Sequence, residues 1–412
     1  MLAILTSHPI QYQAPLWRAL AEDGRVAFEV WFLTDHAVKP SHDREFGKQF
    51  AWDRDLLEGY PHRFLPVRPG WRMDRFRGIR VVQPWAKLLK EGEVTQLWVE
   101  GWRFWENWAA IFEARRLGVE VWMRGETNDL RRRGGAKEIV RRCLLAQLFS
   151  RVSRFLCIGS ANRRFYRSFG VGNDRLLSTP YCVENGWFAG QAENLRNRRS
   201  EIRRGWGIDD DAFCVVFCGK FISKKRPMDL VEAAKLLIGK NSGLPKVHLL
   251  FVGSGILGDS LRSACHVVFD AENPSSQHTN INFRDSTEPS PLPTSTFTGF
   301  LNQGEISRAY VAADCLVLPS DAGETWGLVV NEAMAAGLPC VVSNQCGCAE
   351  DLISAVSPTA VYPAGNVAAL ATALEDAITC PVESSVLSRH IAGFDISRTV
   401  DTVAALAEKV AP

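Results

Sequence analysis

The chain has 412 residues, 46% hydrophobic and 23% charged, with 32 Gly and 20 Pro, a composition that excludes disordered, collagenous and fibrous proteins. At roughly 150 residues per domain, this length suits two domains. The formal net charge of +2 hides a division: residues 1–190 hold 30 Lys+Arg against 21 Asp+Glu, and residues 191–412 hold 18 against 25.

No run reaches the ~20 apolar residues of a membrane-spanning helix. The opening MLAILTSHPIQYQAPLW lacks a basic segment and a small-residue cleavage site, so an intracellular, cytoplasmic protein is expected. The 11 cysteines agree, because Cys157, Cys214, Cys218 and Cys315 fall singly on apolar segments and no Cys-x-x-Cys occurs. Only Cys340, Cys346 and Cys348 cluster, with no histidine nearby, and no structural metal is expected.

In chain order, LAILTS, VAFEVWFLT, VTQLWVEG, VEVWMRG and RFLCIGS read as buried strands. Helical patterns lie between them, such as APLWRALAED with Pro15 in its first turn. That repetition predicts a parallel sheet covered by helices on both faces. A boundary near Tyr181–Trp187 and the polar, Arg-rich NLRNRRSEIRRGW separate it from a second series. There FCVVFCGKF, VHLLFVG, TFTGF, CLVLPS and PCVVS are the strands, and MDLVEAAKLL, GEISRAYVAA and LVVNEAMAA the helices. Ligands of such sheets bind beyond the carboxyl ends of the strands, so two facing α/β layers are expected to enclose an interdomain cleft. Residues 267–295, rich in Ser, Thr, Asn and Pro, are expected to form a mobile surface insertion.

GSGILG, from Gly253 to Gly258, follows a strand and matches the GxGxxG pattern of dinucleotide-binding folds. The acidic residues that a nicotinamide cofactor would need about 20 positions on, Asp270 and Glu272, stand at the edge of the irregular segment. Gly253 and Gly255 are therefore read as a tight turn near a phosphate or base, and no cofactor is expected. Lys220 follows a strand and Lys225 stands where the next helix begins, so both can converge on an anion beside helix amides. A solvated basic turn, Lys224–Lys225–Arg226, is the other reading.

The segment PSDAGETWGLVVNEAMAAGLPCVVSNQCGCAEDL decides between them. Glu324 and Glu332 are eight residues apart, and Gly327, Leu328 and Val329 open a helix whose amides face the strand ends. With Lys220 and Lys225 before it, the segment resembles the donor site of family 4 glycosyltransferases. These are retaining enzymes of the GT-B fold with a Glu-x7-Glu signature. The resemblance covers about Cys214–Leu352 and is fainter before it. It implies two Rossmann-like domains, 1–183 for the acceptor and 184–390 for the nucleotide sugar, with a helix in 391–412 returning to the first. It also implies that Lys220 and Lys225 contact the two phosphates, Glu324 the donor sugar and Glu332 the ribose. Thr325 and Trp326 replace the usual Gly-Phe before Gly327, one residue is added before Glu324, and Asp351 stands where Glu is commoner, so the family does not fix the sugar.

In the first half, His8 and Gln11 occupy the first strand-to-helix loop, which the resemblance sets toward the diphosphate and acceptor. His8 also reads as a plain helix-start residue. Where the family often has a catalytic His, WMRGETND supplies Glu126 with Arg124 and Asn128. The two Asp-x-Asp triplets, Asp53–Asp55 and Asp209–Asp211, read as solvated turns, since neither follows a buried strand. Trp102, Trp105 and Trp108 are spaced for one helical face, where core packing is the default and a sugar platform at Trp102 the alternative.

These features point to a metal-independent retaining hexosyltransferase acting on a nucleotide sugar and a glycan or lipid-linked acceptor, with no nucleic-acid partner. A sugar-nucleotide epimerase and a non-catalytic sugar-nucleotide sensor are the competing readings. AKEIVRRCLLAQLFSRVSRFL places Arg141, Arg142, Arg151 and Arg154 among Leu and Phe after Arg131–Arg133. It reads either as a core-facing helix with a solvated Arg face or as a segment that docks on an anionic membrane.

Overall fold

The structure, a computed structural model, describes residues 1–36, 38, 41–43, 48–50, 53–131, 134–240, 243–273 and 292–408. The chain divides into two units: Met1–Ser41 with Arg54–Val183 and Asp395–Pro412, and His42–Asp53 with Glu184–Phe394. Its strands in chain order begin with β1 (Leu2–Thr6), β2 (Phe28–Phe32), β3 (Ser41–Asp43), β4 (Lys48–Phe50), β5 (His62–Phe64), β6 (Gln96–Glu100), β7 (Glu120–Arg124), β8 (Arg154–Cys157) and β9 (Leu176–Ser178). They continue with β10 (Phe213–Cys218), β11 (Val247–Val252), β12 (His266–Asp270), β13 (Thr294–Gly299), β14 (Cys315–Leu318), β15 (Cys340–Ser343) and β16 (Val361–Tyr362). Strands β3 and β4 form a separate pair.

The first unit orders its seven strands β5-β2-β1-β6-β7-β8-β9, all parallel. Strand β1 is buried throughout because every residue but Thr6 is aliphatic. The helix Ala14–Asp23 carries Pro15 in its first turn and stops at Gly24, whose φ of 70° lets its N–H return to the Leu20 carbonyl. Trp17 on that helix meets Trp98 of β6 edge-on at 5.1 Å. The helix Ile396–Glu408 returns to this unit, where Thr402 Oγ1 donates to the Ser178 carbonyl at 3.2 Å.

The second unit orders its strands β12-β13-β11-β10-β14-β15-β16, again all parallel. Each sheet is doubly wound, because order reverses beside its first strand: between β1 and β6, and between β10 and β14. The pair of Rossmann-like units is the GT-B class of fold expected from the sequence.

Two expectations change, and the Arg-rich stretch, read from the sequence only as a separator, is helical over Asn185–Arg196 and Arg199–Gly205. Arg199 and Arg203 are spent on Asp314, at 2.7 and 3.3 Å, which pins the second of these helices to the second sheet. The expected insertion is regular at both ends, forming β12 and β13, while residues 274–291 lie outside the described residues. The tryptophan-rich helix starts at Trp105, not Trp102, because the Asn107 side chain accepts the Phe104 N–H at 3.1 Å and closes the first turn there.

Candidate active site

In the second unit the switch between β10 and β14 brings two loops together. Gly219–Arg226 leaves β10, and Pro319–Gly327 leaves β14. Their backbones are joined where Asp321 N–H donates to the Lys224 carbonyl at 2.9 Å. Across the same junction the Lys225 ammonium forms an ion pair with Glu324 Oε2, which also accepts from Ser320 Oγ at 3.1 Å. The stem of Lys225 runs back to Gly219, beside Lys220, which is half-buried. The structure thus brings Lys220, Lys225 and Glu324 to one junction, and the sequence did not foresee that Lys225 and Glu324 pair with each other.

Thr325 is exposed and Trp326 is buried, with its indole N–H donating to Asn331 Oδ1 at 2.8 Å. This anchors the loop against the helix Leu328–Ala335, whose N-cap is Gly327. The first amides of that helix, from Leu328 and Val329, have no acceptor within the helix and present partial positive charge at the strand ends. Glu332, one turn on, is only 4% exposed, and its Oε2 accepts from the Tyr310 hydroxyl. Gly347 packs on the Thr325–Trp326 backbone so closely that a Cβ there would lie 1.9 Å from the Thr325 carbonyl oxygen.

Gly253 and Gly255 stand where two loop backbones approach closely. A Cβ at Gly253 would stand 2.1 Å from the Gly219 carbonyl oxygen, and one at Gly255 would stand 2.7 Å from that of Phe221. The Phe221 N–H donates to the Ser254 carbonyl at 2.8 Å. The two glycines thus let the loop after β11 lie flat on the loop that carries Lys220. Asp270 does end a strand, but it is buried against Arg262, 2.5 Å away, which uses it structurally.

The first unit gathers a second constellation at its own strand ends. His8 lies after β1, its Nδ1 2.8 Å from Ser7 Oγ and its ring edge-on to His36 at 5.2 Å. Burial, then the His36 and Arg103 charges, pull its pKa down to about 4, so the ring is neutral at pH 7. Gln11 is half-buried in the same loop. Arg124, 4% exposed, lies beneath the Tyr181 ring at 5.1 Å, and the Tyr181 hydroxyl donates to Glu126 Oε1 at 2.6 Å. Asn128 Oδ1 takes the Leu130 N–H at 3.3 Å and shapes the loop.

Sequence reading missed Glu100, which stands opposite Arg124 in the β6–β7 register. Burial pushes its carboxyl up to about 7, Arg124 opposing the shift, Glu126 adding to it and the Trp98 N–H opposing it. The signal was present as the acidic end of the buried strand in VTQLWVEG. Trp102 packs as the default reading has it: it stacks on Phe165 at 6.0 Å and leaves no room for a Cβ on Gly125.

Asp53 Oδ2 accepts the Gly304 N–H at 2.7 Å, a contact between residues far apart in the chain, and Asp55 Oδ1 accepts the Leu57 N–H at 2.7 Å within a local turn. Asp209, Asp210 and Asp211 are exposed. Among the described residues no cluster of three His, Cys, Asp or Glu could hold a metal. Cys346 is a buried thiol pushed up to about 12 by burial, and burial also raises the other two of its cluster. A cavity of about 270 Å³ lined by Pro339, Cys340 and Asp376 lies where β15 starts, at the opposite end of the sheet from Lys225.

Residues 198–391 match the family described as Glycosyl transferases group 1. The 2-deoxystreptamine N-acetyl-D-glucosaminyltransferase of Streptomyces fradiae is 40% identical over 184 residues, 45% of this chain and 38% of that protein. D-inositol 3-phosphate glycosyltransferase 1 of Catenulispora acidiphila is 27% identical over 215 residues, 50% of this chain and 47% of that protein. The chain spans less than half the length of these two curated relatives. Across 99% of both chains the fold is similar to Anabaena Alr3699/HepE, solved with UDP and glucose, at a TM-score of 0.62 and 16% identity.

Proposed function

We propose that this chain, whose residues 198–391 match the group 1 glycosyltransferases, is a retaining glycosyltransferase that moves a hexosyl unit from a nucleoside diphosphate sugar to a glycan or lipid-linked acceptor. The observation that carries the reading is the junction of the β10 and β14 loops, where Lys220, Lys225, Glu324 and a helix start meet. The UDP and glucose held by the similarly folded Anabaena protein support a nucleotide-sugar donor.

In this reading the diphosphate lies against Lys220, Lys225 and the amides of Gly327–Val329, while Glu324 takes donor hydroxyls and Glu332, oriented by Tyr310, takes the ribose. Donor binding exchanges the Lys225–Glu324 ion pair for one contact to phosphate and one to sugar. Cleavage of the anomeric C–O bond leaves its electron pair on the diphosphate. Lys225 and the helix amides stabilise that charge as it grows, and only contacts that strengthen in this way lower the barrier. The acceptor oxygen bonds the anomeric carbon on the face the diphosphate leaves, and its proton passes to a phosphate oxygen. The two lysines supply the charge a divalent cation would otherwise bring, which makes the reaction independent of metal.

The acceptor is assigned to the first unit, with Glu126 and Arg124 contacting its hydroxyls and His8 and Gln11 contributing neutral hydrogen-bonding groups. The protein is taken as cytoplasmic, supported by its 11 free thiols. Among the described residues no helix is long and apolar enough to cross a membrane.

Incubation with radiolabelled nucleotide sugars and a panel of acceptors, followed by NMR of the product, tests the reading. Transfer with the donor's anomeric configuration kept is expected. An inverted product removes the retaining mechanism, and interconversion of the donor sugar without an acceptor assigns an epimerase instead.

A further inference from the structure

The helix Ala136–Phe149 has apolar residues on two opposite sides. Leu145, Leu148 and Phe149 point into the first unit's core. On the other side Ile139 is 66% exposed, Val140 59% and Leu144 50%, with Ala136 and Cys143 exposed beside them. At 3.6 residues per turn these five positions fall on one face of the helix. Three of the eleven large exposed hydrophobic residues described in the chain are thus packed into six positions, whereas scattered single ones are ordinary.

Charge borders this strip on both sides. Lys137 lies along one edge and Arg142 along the other. Arg142 rests on the Phe169 ring at 4.4 Å and donates to the Ser168 carbonyl at 2.6 Å. Arg151, just past the helix, rests on Phe112 at 4.6 Å and donates to the Gln147 carbonyl. Rings and carbonyls hold these guanidinium groups without cancelling their charge, and none of the three cations forms an ion pair among the described residues. The helix's one carboxylate, Glu138, is taken by Arg141 at 2.9 Å.

We propose that the face formed by Ala136, Ile139, Val140, Cys143 and Leu144 docks on an anionic lipid bilayer, with Lys137, Arg142 and Arg151 meeting the headgroups. An apolar strip edged by cations is the pattern of an interfacial helix, which sinks its apolar face to the acyl boundary and leaves its cations among anionic headgroups. A second copy of the chain fits less well, because pairing two such faces would bring like charges together around the rim.

Co-sedimentation of the purified chain with phosphatidylcholine vesicles, with and without about one-quarter phosphatidylglycerol, tests this. Binding is expected only with the anionic lipid, weakening from low to physiological salt. The Ile139→Ser/Leu144→Ser double variant is expected to bind at least tenfold more weakly with an unchanged circular-dichroism melt, and Lys137→Gln about fivefold more weakly. Equal binding to neutral vesicles, binding to neither, or undiminished binding by the double variant would overturn the proposal. So would a dimer in sedimentation velocity that the double variant abolishes, which would assign the face to a second copy. Vesicle binding is read without any assay of transfer, so its failure leaves the proposed activity standing.

Discussion

The two units carry their polar groups at the same place, the carboxyl ends of parallel strands, but hold them differently. In the second unit backbone does the holding. Loop lies on loop through Gly253, Gly255 and Gly347, and a charge pair, Lys225–Glu324, bridges the loops after β10 and β14. In the first unit side chains do it: Arg124 is buried beneath Tyr181, Glu100 is pushed toward neutrality, and His8 is kept neutral. A site built on backbone contacts demands particular residues at particular spacings, whereas a site built on burial takes its character from the surroundings.

The difference should show first in stability. Gly347→Ala drives a methyl into the Thr325 carbonyl, 1.9 Å away in the unrelaxed structure, so the loop carrying Glu324 must move. A loss of about 3 kcal/mol is expected, measurable as a lower midpoint in urea together with lost nucleotide binding. A wild-type midpoint would show that the loop contacts are slack.

Lys225→Ala comes next. Turnover is expected to fall about 10²-fold or more while affinity for the nucleoside diphosphate changes less, because the ammonium acts on charge that develops at the leaving group. An unaltered rate at saturating donor would take Lys225 out of the mechanism. Glu332→Gln should behave in the opposite way, weakening donor affinity with a smaller change in turnover, since ribose contacts form in the ground state. Wild-type affinity by calorimetry would refute that role.

The smallest effect concerns pH and belongs to the first unit. The folded state raises the Glu100 pKa from 4.5 to about 7 and so binds its proton more tightly than the unfolded chain does. The stability this contributes is present below pH 4.5 and is lost as pH rises through about 7. Glu100→Gln should therefore flatten the decline in melting temperature over that window. His8 works in the reverse direction: its pKa falls from 6.5 to about 4, so stability is lost as pH drops through that range. An identical slope for wild type and Glu100→Gln would place the Glu100 ionisation elsewhere.

This contrast also explains what the sequence could disclose. Alternating apolar runs disclosed both sheets, because a parallel strand buried on two faces must be apolar throughout. Glu324, Glu332 and the lysines were singled out because their types and spacing resemble a family motif. The Lys225–Glu324 pair was not, since the partners are 99 residues apart and meet only through the β10–β14 switch. The glycines of GSGILG were legible as a tight approach but not as an approach of backbone to backbone, which depends on a loop more than 30 residues earlier. Glu100 passed unnoticed because the last residue of a strand looks the same in a sequence whether its carboxyl meets water or Arg124. Ile139, Val140 and Leu144 fit a core-facing helix equally well until the opposite side proved to be the buried one.

The most direct test of the central claim is calorimetric titration of the chain with nucleoside diphosphates, in EDTA. One molecule bound per chain, with affinity lowered at least tenfold in a Lys220→Ala/Lys225→Ala variant of unchanged melting behaviour, is the predicted result. Failure of the wild type to bind any nucleoside diphosphate, or binding that appears only when Mg²⁺ or Mn²⁺ is restored, would contradict it.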